Sequence, residues 1–503
     1  MRTDVELKKS KTAKQQLLEV LFYVTAVIAV VTVLRGFFEG KPLNDYFWHE
    51  KVGEWIVKNK EVPTYGIYSW FAKDSGLYWF SHEWLSGVLI YLTSFGSLSA
   101  ALLSAMVLQF LLLFLMMFRT RKYAEKNILV FSAFHIVSAY VLNKYFYPRP
   151  HLYSYFLLFF ELAILYKVRH DEKNTKTVFF LPLIAVLWAN IHGGSSNLTY
   201  ILPVFVILTS LFSFSIGKVV FTKLPKEKMK NLLLATALSV IGICVNPHGF
   251  KLLTYPLENM NDKLMLSAIS EWAAPDIKTT SSFLAIIPVI IVALVFFLTK
   301  KEIHATDLLT FAFFTYLYLR SERFVALLII GACFYMFDYV LELDIEKFLN
   351  LSDLIRKAIY ALGLVLVLSY GISTVQKGLL SGGFPIQDNV VSDAAVEVIR
   401  ARAPQRMYNH YNLGGELIYH DIDVFIDGRA DMYSKYNFQD FMDMSYLKLD
   451  ADGQMVTGSL IEKYRFDMFV CTTTDKMRLY LELHPDEYEC IYKDENVLIF
   501  VPC

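Results

Sequence analysis

Long apolar runs separated by short polar segments make up most of the chain before residue 377. A helix needs about 20 residues to cross the hydrocarbon core of a bilayer, and these runs approach that length. The pattern therefore predicts a transmembrane bundle of about eleven helices within residues 1–376. The predicted spans are 17–35, 98–118, 127–145, 151–168, 177–191, 197–216, 231–246, 282–299, 304–319, 323–341 and 357–376, of which 177–191 and 304–319 are short.

The basic residues between these runs give the predicted orientation. Lys and Arg concentrate at the N-terminus and in every second loop, at 119–122, 167–176, 218–230 and 300–301. Cytoplasmic loops retain Lys and Arg, so these segments and the N-terminus are predicted to be cytoplasmic. With an odd number of spans, the C-terminal region then lies outside the cytoplasm.

The first outer loop, 36–83, is long enough to fold on the membrane surface. Its sequence predicts a helix whose N-cap is Asn44 or Asp45, with tryptophan anchoring its apolar face at the interface. Ser81 is the predicted cap of a further helix, 82–94. The apolar positions of the first helix recur at helical spacing and are Trp48, Val52, Trp55 and Ile56.

After a glycine-containing linker at 377–383, the composition changes to that of a small soluble α/β domain over 384–503. Asp494 to Asn496 reads as the turn of a terminal hairpin. The predicted helices of this domain are 392–402, 435–447, 457–464 and 475–483, and its predicted strands are 416–420, 423–427, 467–472 and 489–501.

The composition supports an integral membrane protein. The 503 residues are 55% hydrophobic and only 19% charged, whereas soluble proteins are nearer a quarter charged. The formal net charge is zero, which removes the electrostatic case for nucleic-acid binding. The cysteines show no metal-binding spacing, and an outer location is compatible with one disulfide among Cys471, Cys490 and Cys503.

Short polar clusters fall between the apolar runs, and the predicted topology places all of them on the outer side. Polar side chains at membrane depth are costly and usually mark a functional site. A bundle that served only as an anchor would not need repeated His, Arg and carboxylate groups at one rim. The clusters are 44–49, 81–84, 147–151, 190–194 and 246–250.

Two acidic residues are the candidate catalytic groups. Asp45 follows the first span closely and either accepts a proton from a substrate hydroxyl or caps the following helix. His49 lies one turn later on the same face. His82 and Glu83 either orient a sugar or hold a divalent cation, Mg²⁺ or Mn²⁺, unless they are incidental neighbours of membrane-anchoring tryptophans.

Arg149, framed by Pro148 and Pro150, is the candidate phosphate-binding residue. A rigidly held guanidinium can bind a phosphate bidentately, although a contact to lipid headgroups explains the same position. Histidines beside helix-breaking Gly or Pro either line a cavity or serve the structure. The further candidate substrate-binding residues are His151, His192, Asn246, His248, Glu271, Arg320 and Arg323.

The outer domain carries one charged turn, from Phe425 to Asp431. Ligand groups often lie where a strand of an α/β sheet ends. Equally, Asp427 and Arg429 form a structural pair that ties the domain to the bundle. The sequence is compatible with both interpretations of this turn.

The ordered set of these motifs resembles the GT-C superfamily of polyprenyl-phosphate-sugar-dependent glycosyltransferases. More closely, it is similar to a large group of bacterial polytopic proteins placed with those enzymes. The resemblance covers nearly the whole chain. The residues that carry it are Asp45 with Trp48-His49, His82-Glu83-Trp84-Leu85, Arg149-Pro150, Asn190-Ile191-His192-Gly193, Asn246-Pro247-His248-Gly249 and Phe425-Ile426-Asp427-Gly428-Arg429.

The resemblance implies a plasma-membrane enzyme that transfers sugar from a polyprenyl-phosphate donor to an extracytoplasmic glycolipid, polysaccharide or protein. It implies Asp45 as the base and Arg149 on the phosphate, with Arg320 or Arg323 assisting. Many members carry paired acids in the first loop, whereas Asn44-Asp45-Tyr46 has a single acid. The alternatives are a transporter or flippase, which would need polar residues through the membrane's depth, and a non-catalytic scaffold.

Overall fold

The computed structural model describes residues 13–38, 43–124, 127–171, 176–268, 272–276, 278–340 and 390–503, with isolated positions from 343 to 376. Helices dominate the part before residue 341. In chain order the helices of that part are α1 (Ala13–Phe38), α2 (Asn44–Asn59), α3 (Trp70–Ser75), α4 (Trp84–Ser94), α5 (Leu98–Ala124), α6 (Ile128–Asn143), α7 (His151–His170), α8 (Leu181–Ile191), α9 (Leu198–Thr209), α10 (Lys226–Ile243), α11 (Lys251–Met260), α12 (Lys263–Ala268), α13 (Thr280–Leu298), α14 (Ala305–Arg320), α15 (Val325–Tyr335) and α16 (Phe337–Val340).

The surface of this bundle is that of a membrane protein. Among the described residues, three helices are long and apolar enough to cross a bilayer, by length and composition, and several shorter apolar helices accompany them. Large apolar side chains such as Val27, Leu103, Phe114 and Leu183 are exposed on the outside of the bundle. Contact of such side chains with lipid has no free-energy cost, whereas their exposure to water is unfavourable. The predicted number of spans stays a prediction, and the last one, 357–376, falls largely outside the described residues.

One predicted span contains a hairpin. The run 197–216 was expected to be a single helix, but α9 ends at Thr209 and two short antiparallel strands follow, β1 (Phe214–Ile216) and β2 (Val219–Phe221). Gly217 turns the hairpin with a φ of 58°, a conformation that suits glycine. A third short strand, β3 (Ile303–His304), pairs in parallel with β2.

The predicted helix caps of the outer loop are wrong. Leu43 is the N-cap of α2 and makes no side-chain cap hydrogen bond, so neither Asn44 nor Asp45 serves as the cap. Glu83, rather than Ser81, is the N-cap position of α4. The hydroxyl of Ser81 instead donates to the Pro63 carbonyl at 2.7 Å. Tertiary contacts therefore decide where these polar side chains bind.

The C-terminal region folds around a sheet of four strands in the order β4-β5-β7-β6. Strand β4 is parallel to β5, and β7 is antiparallel to both of its neighbours. The remaining elements are α17 (Asp393–Arg402), β4 (Met407–Asn409), α18 (Gly414–Tyr419), α19 (Ala430–Tyr433), α20 (Phe438–Ser445), α21 (Thr457–Tyr464), β5 (Met468–Thr472), α22 (Lys476–Leu483), β6 (Tyr488–Lys493) and β7 (Val497–Pro502).

Two predicted strands of this domain are wrong. Segment 416–420 lies mostly in helix α18, and 423–427 forms no strand. The side chain of Asn409 accepts the Phe425 N–H at 2.8 Å and donates to the Ile426 carbonyl at 2.8 Å. These backbone groups are therefore satisfied by a side chain instead of a strand ladder. Strand β4, which provides Asn409, was not predicted.

The outer loop and the C-terminal domain share one hydrophobic core. Trp48, Val52 and Ile56 of α2 are buried in it, so this apolar face packs against protein rather than lying on the membrane. Trp70 stacks on Phe425 at a centroid distance of 5.6 Å. The domain is thus packed directly against the loop between α1 and α5. Its cysteines Cys471, Cys490 and Cys503 are free thiols.

Candidate active site

A cavity of about 920 Å³ lies where the outer loop, the outer ends of the bundle helices and the C-terminal domain meet. Both predicted catalytic residues, Asp45 and Glu83, line it. The other predicted site residues that line it are His49, His82, Arg149, His151, His192 and Arg323. Residues that are far apart in the sequence are therefore collected around a single space large enough for a small ligand.

Asp45 and Arg149 form an ion pair at the wall of this cavity. A guanidinium nitrogen of Arg149 lies 2.5 Å from Oδ2 of Asp45, and the side chains are 11% and 22% exposed. Trp48 Nε1 donates to Asp45 Oδ1 at 3.2 Å. The first turn of α2 and the loop before α7 thus place a carboxylate and a guanidinium side by side, with partial access from the cavity.

Two glycines of the C-terminal domain approach the start of α2 closely. A Cβ on Gly428 would lie 2.1 Å from Asp45 Oδ1 and 2.8 Å from Trp48 Nε1. A Cβ on Gly415 would lie 2.0 Å from the Asn44 carbonyl oxygen. At Gly415 the obstacle is backbone, so a side chain does not fit there, whereas at Gly428 a side chain would displace the Asp45 carboxylate or the domain. The domain therefore touches the candidate base directly.

Glu83 lies at the centre of three imidazoles. Its carboxylate oxygens lie 3.4 Å from His82 Nε2, 3.4 Å from His192 Nε2 and 3.6 Å from His49 Nε2. Burial by itself would raise the pKa of Glu83, but the imidazoles, His82 foremost, outweigh it and hold this pKa well below its usual range. Glu83 is therefore a carboxylate at neutral pH.

The three histidines differ in charge. Burial would lower the pKa of His82, but the adjacent Glu83 carboxylate outweighs it and raises the pKa to about 9. His82 is thus an imidazolium, which donates from Nδ1 to the Phe80 carbonyl at 3.0 Å. Burial lowers the pKa of His49 and of His192 to about 3, so both are neutral.

The tautomer of His192 follows from its neighbours. The Trp188 indole donates to Ser154 Oγ at 2.9 Å, so the Ser154 hydroxyl is left to donate to His192 Nδ1 at 2.7 Å. The proton of the neutral ring is then on Nε2, on the side of Glu83. Trp188 and Ser154 therefore orient the ring of His192 so that Nε2 faces the Glu83 carboxylate at 3.4 Å.

Two further candidates line the cavity at its bundle side. His151 Nε2 donates to the Tyr145 carbonyl at 2.6 Å, which fixes its ring beside the loop that carries Arg149. The guanidinium of Arg323 stacks on Trp272 at 3.8 Å from the ring centroid. A second cationic group is therefore held rigidly at the same cavity as Arg149.

The structure does not bring every predicted residue to the cavity. His248 does not line the cavity, and its ring contacts the Tyr78 hydroxyl at 2.6 Å. The side chain of Asn246 stabilises the turn that leads to His248 by accepting the His248 N–H. Arg320 is exposed and donates to the Met260 carbonyl at 3.4 Å. Glu271 lies outside the described residues. Asn246 and His248 therefore hold loops beside the site, whereas the sequence favoured a place in the cavity lining for them.

The C-terminal domain supplies an acid that was absent from the predicted site. Asp431 lines the cavity and accepts a hydrogen bond from the Tyr255 hydroxyl at 2.6 Å. Burial raises its pKa. The charged turn after Phe425 was the available signal. Its other pair is structural, because Arg429 binds Asp427 at 2.6 Å and the Ile67 carbonyl at 2.8 Å, which ties the domain to the outer loop.

The predicted divalent cation stays a prediction. Among the described residues, no group of three or more His, Cys, Asp and Glu side chains is arranged to hold a metal ion. The Asp45 carboxylate contacts the guanidinium of Arg149, and Glu83 lies 3.4 Å from the charged His82. The two carboxylates that could bind a cation therefore already have cationic partners.

A helical bundle with a long first loop and a C-terminal domain over one cavity is similar in fold to oligosaccharyltransferases of known structure. A crystal structure of the Archaeoglobus fulgidus oligosaccharyltransferase tethered to an acceptor peptide with the NVT sequon is similar with a TM-score of 0.56 and 9% identity, covering 97% of this chain and 74% of that chain. AglB from the same organism, with an inhibitory peptide and a dolichol-phosphate, gives a TM-score of 0.52 and 10% identity, covering 94% and 71%.

ArnT from Cupriavidus metallidurans bound to undecaprenyl phosphate is less similar, with a TM-score of 0.46 at 12% identity, covering 97% of this chain and 98% of that chain. No family model matches the chain, and no curated protein matches it in sequence. At these identities the similarity shows the fold alone.

Proposed function

We propose that this protein is an integral-membrane glycosyltransferase that moves a sugar from a polyprenyl-phosphate donor to an acceptor hydroxyl on the outer face of the plasma membrane. One observation carries the proposal: Asp45 and Arg149 form a 2.5 Å ion pair at the wall of the large cavity. A proton acceptor and a phosphate ligand are the two groups that such a transfer needs, because the donor is already activated.

The proposed reaction uses each group once. The acceptor oxygen forms a bond to the anomeric carbon and gives its proton to the Asp45 carboxylate. The bond between that carbon and the phosphate oxygen breaks, and its electron pair leaves with the phosphate. Arg149 binds the departing phosphate with its planar guanidinium. A phosphate that draws Arg149 away from Asp45 also frees the carboxylate to accept the proton.

Glu83 and its histidines would shape the sugar site beside these groups. The His82 imidazolium and the neutral His192 lie 3.4 Å from the Glu83 carboxylate, and the charge of His82 lowers its basicity. Once the donor phosphate has drawn Arg149 away, Asp45 is therefore the better proton acceptor of the two, and Glu83 is the proposed ligand of sugar hydroxyls. Its position between rigid rings preorganises it for that role.

The donor half of the proposal is tested with Arg149→Lys. The purified protein should bind a polyprenyl-phosphate sugar and release polyprenyl phosphate on turnover. Lysine keeps the charge but loses the bidentate fork, so donor affinity should fall roughly tenfold, as expected for about 1.5 kcal/mol. Titration of both forms with the donor measures this. Equal affinity in the two forms would remove Arg149 from the donor site.

A further inference from the structure

The C-terminal domain contributes aromatic side chains to its side of the cavity. Tyr411, Phe438, Phe441 and Tyr446, here called the aromatic wall, all line it. The Tyr411 ring lies 5.9 Å from Phe438 and 6.2 Å from Phe441, centroid to centroid. Phe438 and Phe441 are buried, whereas Tyr446 is 62% exposed. The wall is therefore a packed aromatic surface with one ring open to a ligand.

This side of the cavity is nearly neutral. Among its described lining residues from the C-terminal domain, only Arg429 and Asp431 are charged, and Arg429 is bound to Asp427 and to the Ile67 carbonyl. Burial lowers the pKa of His410, so that ring is neutral at pH 7. Lys476 lies over the Tyr446 ring, 5.6 Å from its centroid, but does not line the cavity. Among the lining residues of this side an anionic acceptor would therefore find no available cation, and its desolvation would be poorly compensated.

The opposite side of the cavity has the charges that this wall lacks. Arg149, Arg323 and Lys144 line it from the bundle, where Arg149 is paired with Asp45 and Lys144 with Glu322. The cavity thus has a charged part, whose guanidinium groups suit the lipid phosphate of the proposed donor, and a neutral aromatic part next to Asp45. The acceptor must enter the second part if the donor occupies the first.

We propose that the aromatic wall is the acceptor subsite and that the acceptor is a neutral saccharide. Aromatic faces carry negative charge density and attract the polarised C–H groups on the flat face of a sugar ring. Neutral polar groups for its hydroxyls lie beside the rings, at His410, Asn412 and Ser445. The assignment rests on the proposed glycosyl transfer, and it names the chemical class of its acceptor.

The backbone at the wall argues against an extended peptide as the acceptor. Peptides often bind by adding a strand to an exposed sheet edge. Among the described residues, none of the strands β4 to β7 lines the cavity. The His410 ring provides a side-chain donor for a sugar hydroxyl. Its Nδ1 accepts the Asn412 N–H at 3.3 Å, so the proton of the neutral ring is on Nε2.

Tyr446 allows the subsite to be tested without unfolding the domain. It follows helix α20 and is exposed, so its truncation removes ring surface from the cavity but little from the core. Tyr436, in the same domain, is 57% exposed and does not line the cavity, which makes it the matched control.

The test is a titration of the purified full-length protein in nanodiscs with neutral oligosaccharides, acidic oligosaccharides and unmodified peptides. Neutral oligosaccharides should bind, Tyr446→Ala should weaken them roughly two- to tenfold, as one aromatic contact allows, and Tyr446→Phe and Tyr436→Ala should leave them unchanged. Preferential binding of acidic sugars or peptides would overturn the assignment, as would neutral binding that ignores Tyr446→Ala.

Release of polyprenyl phosphate from the donor, with water as the acceptor, is measured on the same samples. Donor turnover without binding of neutral saccharides would overturn the acceptor subsite and leave the proposed transfer standing. Binding that depends on Tyr446, with no donor consumed under any condition, would overturn the proposed transfer and leave the saccharide site standing.

Discussion

At the residue scale, the ion pair of Glu83 and His82 ties protein stability to pH. The pKa of His82 is raised to about 9 from an ordinary value near 6.5, because Glu83 outweighs the effect of burial. Its contribution to stability is then complete below the unfolded-state pKa and is lost as pH rises through about 9. The pKa of Glu83 is held down, so its own contribution is lost only in acid.

We therefore expect the unfolding temperature of the purified protein to fall between pH 7 and pH 10, and Glu83→Gln to reduce this fall. The variant should also be less stable at pH 7, because the buried imidazolium loses its partner and the ring becomes neutral. Thermal unfolding across that pH range measures both effects. An unchanged pH dependence in Glu83→Gln would show that the pair does not set it.

At the scale of elements, the contact between the C-terminal domain and helix α2 positions the candidate base. Because a Cβ on Gly428 would lie 2.1 Å from Asp45 Oδ1, Gly428→Ala must move either the domain or the carboxylate. Overpacking of this kind costs about 1–3 kcal/mol, and a displacement near 1 Å at a reacting group costs about 10²-fold in rate.

Gly428→Ala should thus lower kcat about 10²-fold while donor affinity at Arg149 is largely kept. Steady-state kinetics and donor titration separate the two quantities. Gly453→Ala is the control, because Gly453 has a φ of 76° in a turn with open space around it, so alanine there strains the backbone without touching the site. Equal kcat values for the two variants would deny the domain a positioning role.

The sequence predicted most helices of the bundle because their apolar runs are long, but it failed where local pattern and tertiary contact disagree. The run 197–216 is mostly apolar, and Gly217, just after it, was the hint that its last residues form the first strand of a hairpin. Segment 416–420 is too short for its periodicity to separate helix from strand. Segment 423–427 lacks a ladder because Asn409, distant in sequence, binds its backbone.

The candidate site was predictable in its membrane-proximal half only. Motifs at Asp45, Glu83 and Arg149 stand out because polar groups between apolar runs are rare. Asp431 ends the charged turn after Phe425, which the sequence marked without separating a ligand group from a structural pair. The aromatic wall lies in a domain where aromatic residues are ordinary, so nothing local marked it. His248, like His192, lies beside residues that end a helix, but it contacts Tyr78 outside the cavity lining. Only tertiary packing decides this difference.

At the scale of the whole molecule, the proposed orientation places the C-terminal domain outside. Cys490 and Cys503 are exposed free thiols of that domain. A membrane-impermeant maleimide should therefore label intact cells, and Cys490→Ser with Cys503→Ser should abolish most of the label. Cys471 is buried and should stay unlabelled in the folded protein. Labelling that requires permeabilised cells would reverse the orientation and put the cavity on the cytoplasmic side.

The central claim is that Asp45 takes the proton of the acceptor during sugar transfer from a lipid phosphate. Asp45→Asn keeps the shape of the side chain and its contact with Trp48, but it removes the basic carboxylate. General acid–base groups typically contribute about 10²- to 10⁴-fold to the rate. Asp421→Asn, which alters an exposed carboxylate paired with Lys51, is the matched control.

The most direct measurement is the rate of sugar transfer from a polyprenyl-phosphate donor by the purified wild-type, Asp45→Asn and Asp421→Asn proteins at saturating donor. The account predicts that Asp45→Asn loses about 10²-fold or more, while donor binding and the unfolding temperature survive and Asp421→Asn remains active. Transfer by Asp45→Asn at a rate within a few fold of wild type would contradict the role of Asp45 as the base. Another carboxylate would then be the base, and Glu83 and Glu271 are the next candidates.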